Sequence, residues 1–533
     1  MNINPITKTD YPDPDIIRVG DTYYMISTTM YFMPGGVILR SYDLTNWEIA
    51  TYIFDKLDDT ASERLEGDET NYGKGMWAAS LRYHEGKFYV AFVSHGRQDT
   101  HLFIADDIEG PWEHKLINVY FHDCSLLFDD GRVFVVSGNT EIRLTELAPD
   151  FSAPKQGGID KIIIRDNRED VILGYEGAHF YKINGKYYIT LIHWPKYNMR
   201  RTEAVFVSDT VDGPYVGKDV MWDDMGFRGA GVAQGGIVDT PDGKWYAILF
   251  QDSGAVGRVP VLIPLDWEQT KINDKEYPFP VFGINGEITF NPDVRSTRPG
   301  YKYEPLFTSD DFSNGTIKKQ WQWNHVPNNE LWKIEDNKFK VRTAKISVNP
   351  VHAQNTLTQR MFKPGCQASV KLDASQLNDG DYIGLIALEG CYGFLGICKE
   401  DSKYYLVKLV RSNIEKPFQI GYPDLEAGEL LFKEEICDSN IRVMLKADFG
   451  AEEDLLDFYV DTENCTAVES DDVGKACVKS GSKHSNWVTV GSSHKLKFAL
   501  DHFTGARFGL CVFSTKEIGG EGAFSDFVYE VNE

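Results

Sequence analysis

The amino-acid sequence predicts an all-β protein in which a five-bladed β-propeller is followed by an antiparallel β-sandwich. Three observations carry this prediction. The 533 residues include 11 Trp, 27 Tyr and 31 Phe, or 13% aromatic residues, together with 47 Gly. Aromatic and β-branched residues separated by glycine-containing turns are typical of β-strands. A hairpin-like motif recurs five times before residue 300. Beyond about residue 305 it gives way to alternating apolar and polar runs.

The repeated motif is a turn glycine followed by paired aromatic residues and a β-branched run. It occurs in RVGDTYYMIST, YHEGKFYVAFVS, FDDGRVFVVSG, YKINGKYYITLI and TPDGKWYAILF, with the turns at Gly20, Gly86, Gly131, Gly185 and Gly243. Each copy predicts a β-hairpin. Units of about 50–60 residues match the size of a four-stranded propeller blade. A β-sandwich is the alternative for this region, but it gives no reason for five similar hairpins.

A second motif follows three of the hairpins and predicts the outer strand and turn of the same blade. It appears as RSYDLTNW (40–47), FIADDIEGPW (103–112) and VSDTVDGPY (207–215). The segment STRPGYKYEP (296–305) has no strand pattern and predicts a domain boundary. We therefore expect a propeller over 1–300 and a sandwich domain over 305–533.

Charge and composition exclude several classes of protein. The 55 Lys and Arg residues against 80 Asp and Glu residues give a formal net charge of −25, which opposes binding to nucleic acid or to an anionic membrane. No window approaches the roughly 18 apolar residues of a membrane-spanning helix. The first residues lack the basic and apolar regions of a signal peptide. We expect a cytoplasmic protein whose eight irregularly spaced cysteines are free thiols.

The repeat also places five side chains at one end of the predicted channel. Where the innermost strand of each blade should begin, a few residues before each turn glycine, lie Asp13, Trp77, Asp123, Glu176 and Gln234. In a propeller these strand ends converge on the central axis. Three carboxylates, one tryptophan and one glutamine are therefore expected to face a common site.

The three carboxylates suit the hydrolysis of a glycosidic bond. The leaving oxygen needs a proton from an acid, and a second carboxylate must activate water or attack the sugar. A third carboxylate nearby raises the pKa of the acid and keeps it protonated. Each residue also has a structural alternative, because Asp13 lies between two prolines, Asp123 can cap a turn and Glu176 precedes a glycine in a loop-like segment.

Longer motifs resemble those of glycoside hydrolase family 43, a group of five-bladed propeller enzymes that includes β-xylosidases and α-L-arabinofuranosidases. They are YPDPDIIRVGDTYYMISTT, YFMPGGVILRSYDLTNW, WAASLRYHEGKFYV, HDCSLLFDDGRVFVVSGN, YEGAHFYKINGKYYI and GGIVDTPDGKWYAILF. They cover essentially all of 4–295 in the order and spacing of the family. Three later motifs resemble the C-terminal β-sandwich of many such enzymes: TSDDFSNGTIKKQWQWNHVPNNELW (308–332), AQNTLTQR (353–360) and DHFTGARFGL (501–510).

The resemblance implies a role for each carboxylate. Asp13, in its Pro-Asp-Pro motif, matches the general base, and Glu176 matches the general acid. Asp123 matches the residue that modulates the pKa of the acid and orients it. The resemblance also implies inversion of the anomeric centre, for which the carboxyl groups of Asp13 and Glu176 should lie roughly 6.5–9.5 Å apart.

The resemblance further implies four substrate-binding residues. Phe32 and Trp77 match aromatic walls of the sugar pocket, and Phe503 matches a wall residue that the sandwich domain sends over the propeller mouth. Arg258 matches an arginine that contacts the substrate and the modulating aspartate. From the sequence alone, Trp77 can equally be a core residue, and Arg258 can instead pair structurally with a channel carboxylate.

The fifth blade departs from the family pattern in a way that concerns metal binding. Many members have a histidine there beside a central calcium or water, whereas Gln234 holds that place here. A glutamine amide oxygen can bind an ion or a water but cannot take up a proton. The carboxylate chemistry requires no cofactor. A structural calcium on the sandwich is left open, with Asp310, Asp311 and Asp526 as candidates and turn capping as their alternative.

We therefore expect an exo-acting, inverting glycoside hydrolase that removes terminal pentose residues from hemicellulose-derived oligosaccharides. The fifth-blade segment AQGGIVDTPDGKWYAILFQDSGAVGR resembles a branch of the family that includes arabinofuranosidases. This resemblance favours α-L-arabinofuranosyl groups as the substrate, with β-D-xylosyl groups as the alternative. Two other readings stay open at this point. They are a carbohydrate-binding propeller without turnover and a retaining enzyme that cleaves sucrose or fructan.

Overall fold

The computed structural model describes residues 2–284, 286–450, 452–461 and 486–532. Over these residues the regular structure consists of β-strands and two short 3-10 turns, Gly254–Val256 and Pro350–His352, which confirms the predicted all-β fold. No helix of this described part is long and apolar enough to cross a membrane. The six described cysteines are free thiols, and Cys465 and Cys477 lie outside the described residues.

The chain up to residue 282 forms five four-stranded antiparallel sheets, one for each predicted blade. Blade 1 contains β1 (Asp15–Val19), β2 (Thr22–Ser27), β4 (Gly35–Ser41) and β5 (Glu48–Phe54), and a short strand β3 (Phe32–Met33) lies between β2 and β4. Blade 2 contains β6 (Gly75–His84), β7 (Lys87–His95), β8 (Thr100–Ala105) and β9 (Glu113–Ile117). Blade 3 contains β10 (Ser125–Asp129), β11 (Arg132–Asn139), β12 (Glu141–Leu147) and β13 (Asp160–Arg165).

The last two blades are built in the same way. Blade 4 contains β14 (Val171–Ile183), β15 (Lys186–Pro195), β16 (Thr202–Ser208) and β17 (Val216–Met221). Blade 5 contains β18 (Val232–Asp239), β19 (Trp245–Asp252), β20 (Arg258–Ile272) and β21 (Lys275–Phe282). The first strand of each blade contacts the first strand of the next, and β18 contacts β1, so the five sheets close into the predicted propeller.

Both sequence motifs correspond to turns within the blades. Each of the five turn glycines has a positive φ and joins the first strand of its blade to the second. The second motif covers the turn between the third and fourth strands. Apolar side chains fill the spaces between adjacent blades, as where Ile16 and Leu39 of blade 1 pack with Ile248 of blade 5. The aromatic and β-branched runs therefore form the cores that hold neighbouring blades together.

A buried arginine joins the inner strands near the propeller axis. Arg82 of β6 pairs with Asp15 of β1 at 2.6 Å, and it donates to Ser125 Oγ at 2.6 Å and to the Leu126 carbonyl at 2.9 Å in β10. On the opposite side of Asp15, His179 of β14 lies 3.0 Å from the same carboxylate. Burial by itself would raise the pKa of Asp15, but the positive charges of Arg82 and His179 lower it.

Beyond residue 321, the described residues form a β-sandwich of two larger sheets. The sheet nearer the propeller contains β22 (Gln322–Asn324), β25 (Leu357–Arg360), β27 (Asp381–Leu388), β28 (Gly393–Glu400), β29 (Lys403–Val410), β30 (Glu429–Ile436) and β35 (Arg507–Ser514), together with β3. The outer sheet contains β23 (Trp332–Glu335), β24 (Lys338–Arg342), β26 (Gly365–Gln376), β31 (Asn440–Phe449), β32 (Asp454–Asp461), β33 (Trp487–Thr489), β34 (His494–Lys495) and β36 (Glu521–Val531).

The two domains share a strand and a hydrophobic cluster. Met33 of β3 pairs with Trp323 of β22, so the propeller chain adds an edge strand to the sandwich. Tyr31 and Tyr72 of the propeller pack in one cluster with Phe394 and other apolar side chains of the sandwich. The predicted boundary at 296–305 lies between the end of β21 and the start of β22. The sequence did not predict that β3, from the propeller segment, would pair with a strand of the sandwich.

Candidate active site

The five predicted channel residues lie in the first strand of each blade or just before it. Asp13 and Asp123 are each separated by one residue from the start of β1 and β10. Trp77 and Gln234 lie near the beginnings of β6 and β18, whereas Glu176 lies further along β14. Asp13, Asp123 and Gln234 have φ values of 52°, 45° and 57°. This left-handed backbone is uncommon outside glycine. Strand pairing also shifts register at Glu176 and around Gln234, as in β-bulges that redirect a side chain.

Asp13 is held by two hydrogen-bond donors. Arg258 Nη1 lies 2.8 Å from its Oδ1, and the Thr28 hydroxyl donates to Oδ2 at 2.8 Å. Both Asp13 and Arg258 are almost completely buried. Each carboxylate oxygen retains a lone pair for a water molecule. This arrangement suits a general base.

The other two carboxylates surround a histidine that the sequence analysis did not single out. His122 Nε2 lies 3.5 Å from Glu176 Oε2 and 3.7 Å from Asp123 Oδ2. The side-chain amide of Asn139 donates to Glu176 Oε2. One ring nitrogen of His122 and one carboxylate oxygen each of Asp123 and Glu176 all lie within 4.8 Å of one another. The three residues therefore form one compact group.

The charges of this group shift the pKa values of its members. Burial raises the pKa of Asp123, and the negative charges of Glu176 and Asp13 add to this effect, while His122 opposes it. The negative charge of Asp123 raises the pKa of His122 to about 9 against the effect of burial, and the hydrogen bond to Glu176 contributes. The two carboxyl groups thus favour the protonated form of His122.

Aromatic rings from both domains surround the carboxylates. The indole of Trp77 stacks on His95 with ring centroids 5.0 Å apart and lies edge-on to His122 at 5.9 Å. Phe503 from the sandwich lies 6.1 Å from Trp77 and packs under the Arg258 guanidinium at 4.6 Å. Trp77 and Phe503 are only partly buried, so both rings can contact a sugar at this site.

Two predicted substrate-binding residues have different surroundings from those that the resemblance implied. Phe32 is completely buried beneath the Arg507 guanidinium, which lies 3.4 Å from its ring centroid, so it supports the site from below rather than forming an open wall. Arg258 pairs with Asp13, the predicted base, instead of the modulating Asp123. This corresponds to the alternative in which Arg258 pairs with a channel carboxylate.

The side chain of Gln234 serves packing within the propeller. Its amide lies where a side chain at position 177 would begin, with atoms 2.6–2.8 Å from the position of a Cβ there, so only glycine fits after Glu176. The Gln234 N–H donates to the buried Glu203 carboxyl at 2.7 Å. Nearer the other end of the channel, Arg82 bridges blades 1 and 3.

The candidate calcium residues of the sandwich have protein partners. Asp310 accepts the Trp321 indole N–H at 3.0 Å and the Phe312 N–H at 3.0 Å. Asp311 accepts from the backbone and hydroxyl of Ser313. Asp526 pairs with Lys371 at 2.5 Å. The contacts of Asp310 and Asp311 agree with turn capping, the alternative given above, whereas Asp526 forms an ion pair.

Some residues near the site carry only weak signals in the sequence. His122 directly precedes Asp123, Thr28 closes the first hairpin motif, and Asn139 ends that of blade 3. Their adjacency to a predicted residue or a strand end could have identified them as candidates. His193 of β15 lies 3.0 Å from both Asp166 and Asp219, so both of its ring nitrogens have carboxylate partners.

The five blades bring an arginine-bound carboxylate close to an acidic pair, and paired carboxyl groups are what hydrolysis of a glycosidic bond uses. The fold and the site therefore define a glycoside hydrolase. The model of the family described as "Glycosyl hydrolases family 43" matches residues 3–271, and that of the "Beta xylosidase C-terminal Concanavalin A-like domain" matches residues 309–530. The chain belongs to glycoside hydrolase family 43.

Relatives and solved structures agree with this assignment. A beta-xylosidase of Formosa agariphila is 27% identical over 465 residues, covering 74% of each chain. A non-reducing end alpha-L-arabinofuranosidase of Bacteroides ovatus is 25% identical over 366 residues, covering 65% of each chain. A bifunctional GH43-CE protein of Bacteroides eggerthii is 33% identical with a TM-score of 0.85, and the match covers 99% of this chain and 64% of that protein. An engineered GH43 enzyme with endo-xylanase and exo-arabinofuranosidase activity is 25% identical, with full coverage and a TM-score of 0.81.

Proposed function

We propose that this enzyme is an exo-acting, inverting hydrolase that releases terminal α-L-arabinofuranosyl residues from hemicellulose-derived oligosaccharides. The observation that carries the proposal is the different environment of the two reacting carboxylates. Asp13 receives donors on both oxygens, from Arg258 and Thr28, whereas Glu176 lies beside the carboxyl group of Asp123 and the ring of His122. Different environments are what separate an acid from a base at one pH.

In this mechanism Asp13 removes a proton from a water molecule that attacks the anomeric carbon. Glu176 donates its proton to the glycosidic oxygen as that bond breaks, so the products are a free sugar and an alcohol. Asp123 lies beside Glu176 and in this mechanism orients the acid for that transfer. After product release, Asp13 returns its proton to solvent and Glu176 regains one.

A specific observation also favours β-xylosidase activity as a second candidate. The relatives with the broadest matches include proteins named beta-xylosidase, and others are named xylosidase/arabinosidase. A terminal pentose of either kind offers a small ring that can contact Trp77 and Phe503. Comparative kinetics on an aryl α-L-arabinofuranoside and an aryl β-D-xyloside test the choice. A ratio of kcat/KM above about tenfold, or roughly 1.4 kcal/mol in transition-state binding, decides it.

The acid and base assignments are tested with Glu176→Gln and Asp13→Asn. Loss of a general acid matters less for an activated leaving group such as 4-nitrophenol than for a sugar leaving group. We therefore expect Glu176→Gln to lose more activity on a disaccharide than on the nitrophenyl glycoside. Asp13→Asn should lose activity on both substrates by about 10²-fold or more.

Glu141→Gln, on the outer part of blade 3 and paired with Arg165 at the surface, is the matched control and should keep wild-type rates. Equal losses on both substrates for Glu176→Gln would contradict its role as the acid. Wild-type turnover in Asp13→Asn would contradict the role of that residue as the base.

A further inference from the structure

The segment Ser253–Arg258, here called the arginine loop, connects β19 to β20 in blade 5 and ends at the arginine that binds Asp13. Its position therefore decides where the Arg258 guanidinium lies. Within the propeller, the Arg258 carbonyl accepts the Tyr11 N–H at 3.0 Å. The remaining contacts of interest come from the sandwich domain.

The sandwich holds the arginine loop at three points. Asp454, at the start of β32, accepts the Ala255 N–H at 2.7 Å. The Ala255 carbonyl accepts the N–H of Ala506, just before β35, at 2.8 Å. Lys363, between β25 and β26, donates to the Ser253 hydroxyl at 3.0 Å. The arginine loop therefore both donates hydrogen bonds to the sandwich domain and accepts hydrogen bonds from it.

The buried carboxylate of Asp10 connects the same two elements directly. Its Oδ1 accepts the Arg258 N–H at 2.8 Å, and its Oδ2 accepts the Gly505 N–H of the sandwich at 3.0 Å. Asp10 is 3% exposed, so water cannot readily replace either donor. One side chain thus fixes the spacing between Arg258 and the segment that carries Phe503.

Glycines permit this close approach of the two backbones. A Cβ at Gly505 would lie 1.9 Å from the Val256 carbonyl oxygen, and one at Gly257 would lie 2.2 Å from Asp10 Oδ1. At Gly254 a Cβ would lie 2.2 Å from Asp454 Oδ2. Gly254 and Gly257 also have φ values of 61° and 96°, which glycine adopts without the steric cost paid by other residues.

We propose that the sandwich domain positions the catalytic base, because its contacts with Asp10 and the arginine loop hold Arg258 against Asp13. Asp10 and Gly505 act as positioning residues, since neither contacts the oxygens of Asp13 directly. This inference rests on the proposed role of Asp13 as the base. It assigns to the accessory domain a function in proton transfer besides the pocket wall formed by Phe503.

Several other charged groups lie close to Asp13 and Arg258. The carboxylate of Asp123 in blade 3 repels that of Asp13. Asp10, Glu176 and Asp252 attract the Arg258 guanidinium, and Asp252 also pairs with Arg201 at 2.5 Å. The acidic limb of the pH profile of kcat/KM reports the base of the free enzyme, which is Asp13 in the proposed mechanism. A displaced guanidinium no longer favours the ionised base, so that limb should move to higher pH.

Gly505→Ala tests the proposal, because the new Cβ must displace the arginine loop. With an aryl pentoside of the kind that the wild-type enzyme cleaves, we expect kcat/KM at neutral pH to fall about tenfold or more. The acidic limb of kcat/KM should move upward by about one pH unit. Asp10→Asn keeps one acceptor oxygen and loses the other, so it should change both readouts in the same direction.

Gly520→Ala is the matched control. Its Cβ would lie 1.8 Å from Asp381 Oδ2 inside the sandwich, remote from the arginine loop. We expect this variant to lower the melting temperature without moving the pH profile. If Gly505→Ala does not fold, Asp10→Asn provides the same test.

Folded Gly505→Ala or Asp10→Asn with a wild-type pH profile would overturn the proposal. So would an equal displacement of the acidic limb in Gly520→Ala. A wild-type enzyme that cleaves no pentoside would instead contradict the proposed function, so the two failures are distinguishable.

Discussion

Arg82→Met is expected to destabilise the propeller more than any surface arginine substitution. Arg82 pairs with Asp15 at 2.6 Å, with side-chain exposures of 11% and 0%. It also donates to Ser125 and to the Leu126 carbonyl. Methionine preserves much of the volume but removes the cation that faces the buried Asp15, which keeps only His179 and the backbone N–H groups of Ile16 and Leu81 as partners. Breaking a buried ion pair in this way costs about 3–5 kcal/mol.

The control is Arg165→Met at the blade 3 surface. Arg165 pairs with Glu141 at 3.0 Å, and the two side chains are 65% and 48% exposed, so the substitution should cost less than about 1 kcal/mol. The assay is urea unfolding followed by intrinsic fluorescence and by residual hydrolysis. Activity should be lost together with the propeller signal, because the strands that Arg82 joins carry the reacting carboxylates.

A second substitution tests the physical reason. Asp15→Asn removes the charge that Arg82→Met leaves unpaired, so the double variant should be more stable than the sum of the two single losses indicates. The reasoning would be refuted if Arg82→Met cost no more than Arg165→Met. Strictly additive losses would show that the ion pair is not what Arg82 contributes.

Two further results are expected. Burial would lower the pKa of His193, but its hydrogen bonds to Asp166 and Asp219 outweigh this effect and raise the pKa to about 9. This folded-state pKa exceeds that of the unfolded chain, about 6.5. The free energy of unfolding should therefore contain the full contribution of His193 below pH 6.5 and lose it towards pH 9. Urea midpoints measured across pH 6–9 should fall more for the wild type than for His193→Asn, and parallel curves would contradict this. Phe503→Ala should raise KM for an aryl pentoside severalfold with a smaller effect on kcat, since it removes a pocket wall; steady-state kinetics check this, and an unchanged KM would show that the ring does not contact substrate.

The fold could be predicted because its signals are local. A turn glycine, paired aromatic residues and a β-branched run lie within a dozen residues, and the motif repeats with every blade. Counting back a few residues from each turn glycine gives the residues that face one end of the central channel. Asp13, Asp123 and Glu176 could therefore be identified as a group. These inferences need no knowledge of which distant segments touch.

The features that the sequence did not reveal depend on such distant contacts. β3 lies in the propeller segment, yet its pairing partner Trp323 lies in the second domain. Phe32 is an aromatic residue in a family motif, and only the position of Arg507 above its ring shows that it is covered. Likewise, the choice of Asp13 as the partner of Arg258 follows from the arginine loop. Side-chain pairing across hundreds of residues leaves no periodic pattern.

The stereochemistry of the first product tests the central claim most directly. NMR during hydrolysis of an aryl α-L-arabinofuranoside should show β-L-arabinose first, followed by mutarotation, because water attacks opposite the leaving group with Asp13 as base and Glu176 as acid. With an aryl β-D-xyloside the first product should be α-D-xylose. Initial formation of the sugar with the configuration of the substrate would contradict the account, since it requires a covalent intermediate on one of these carboxylates.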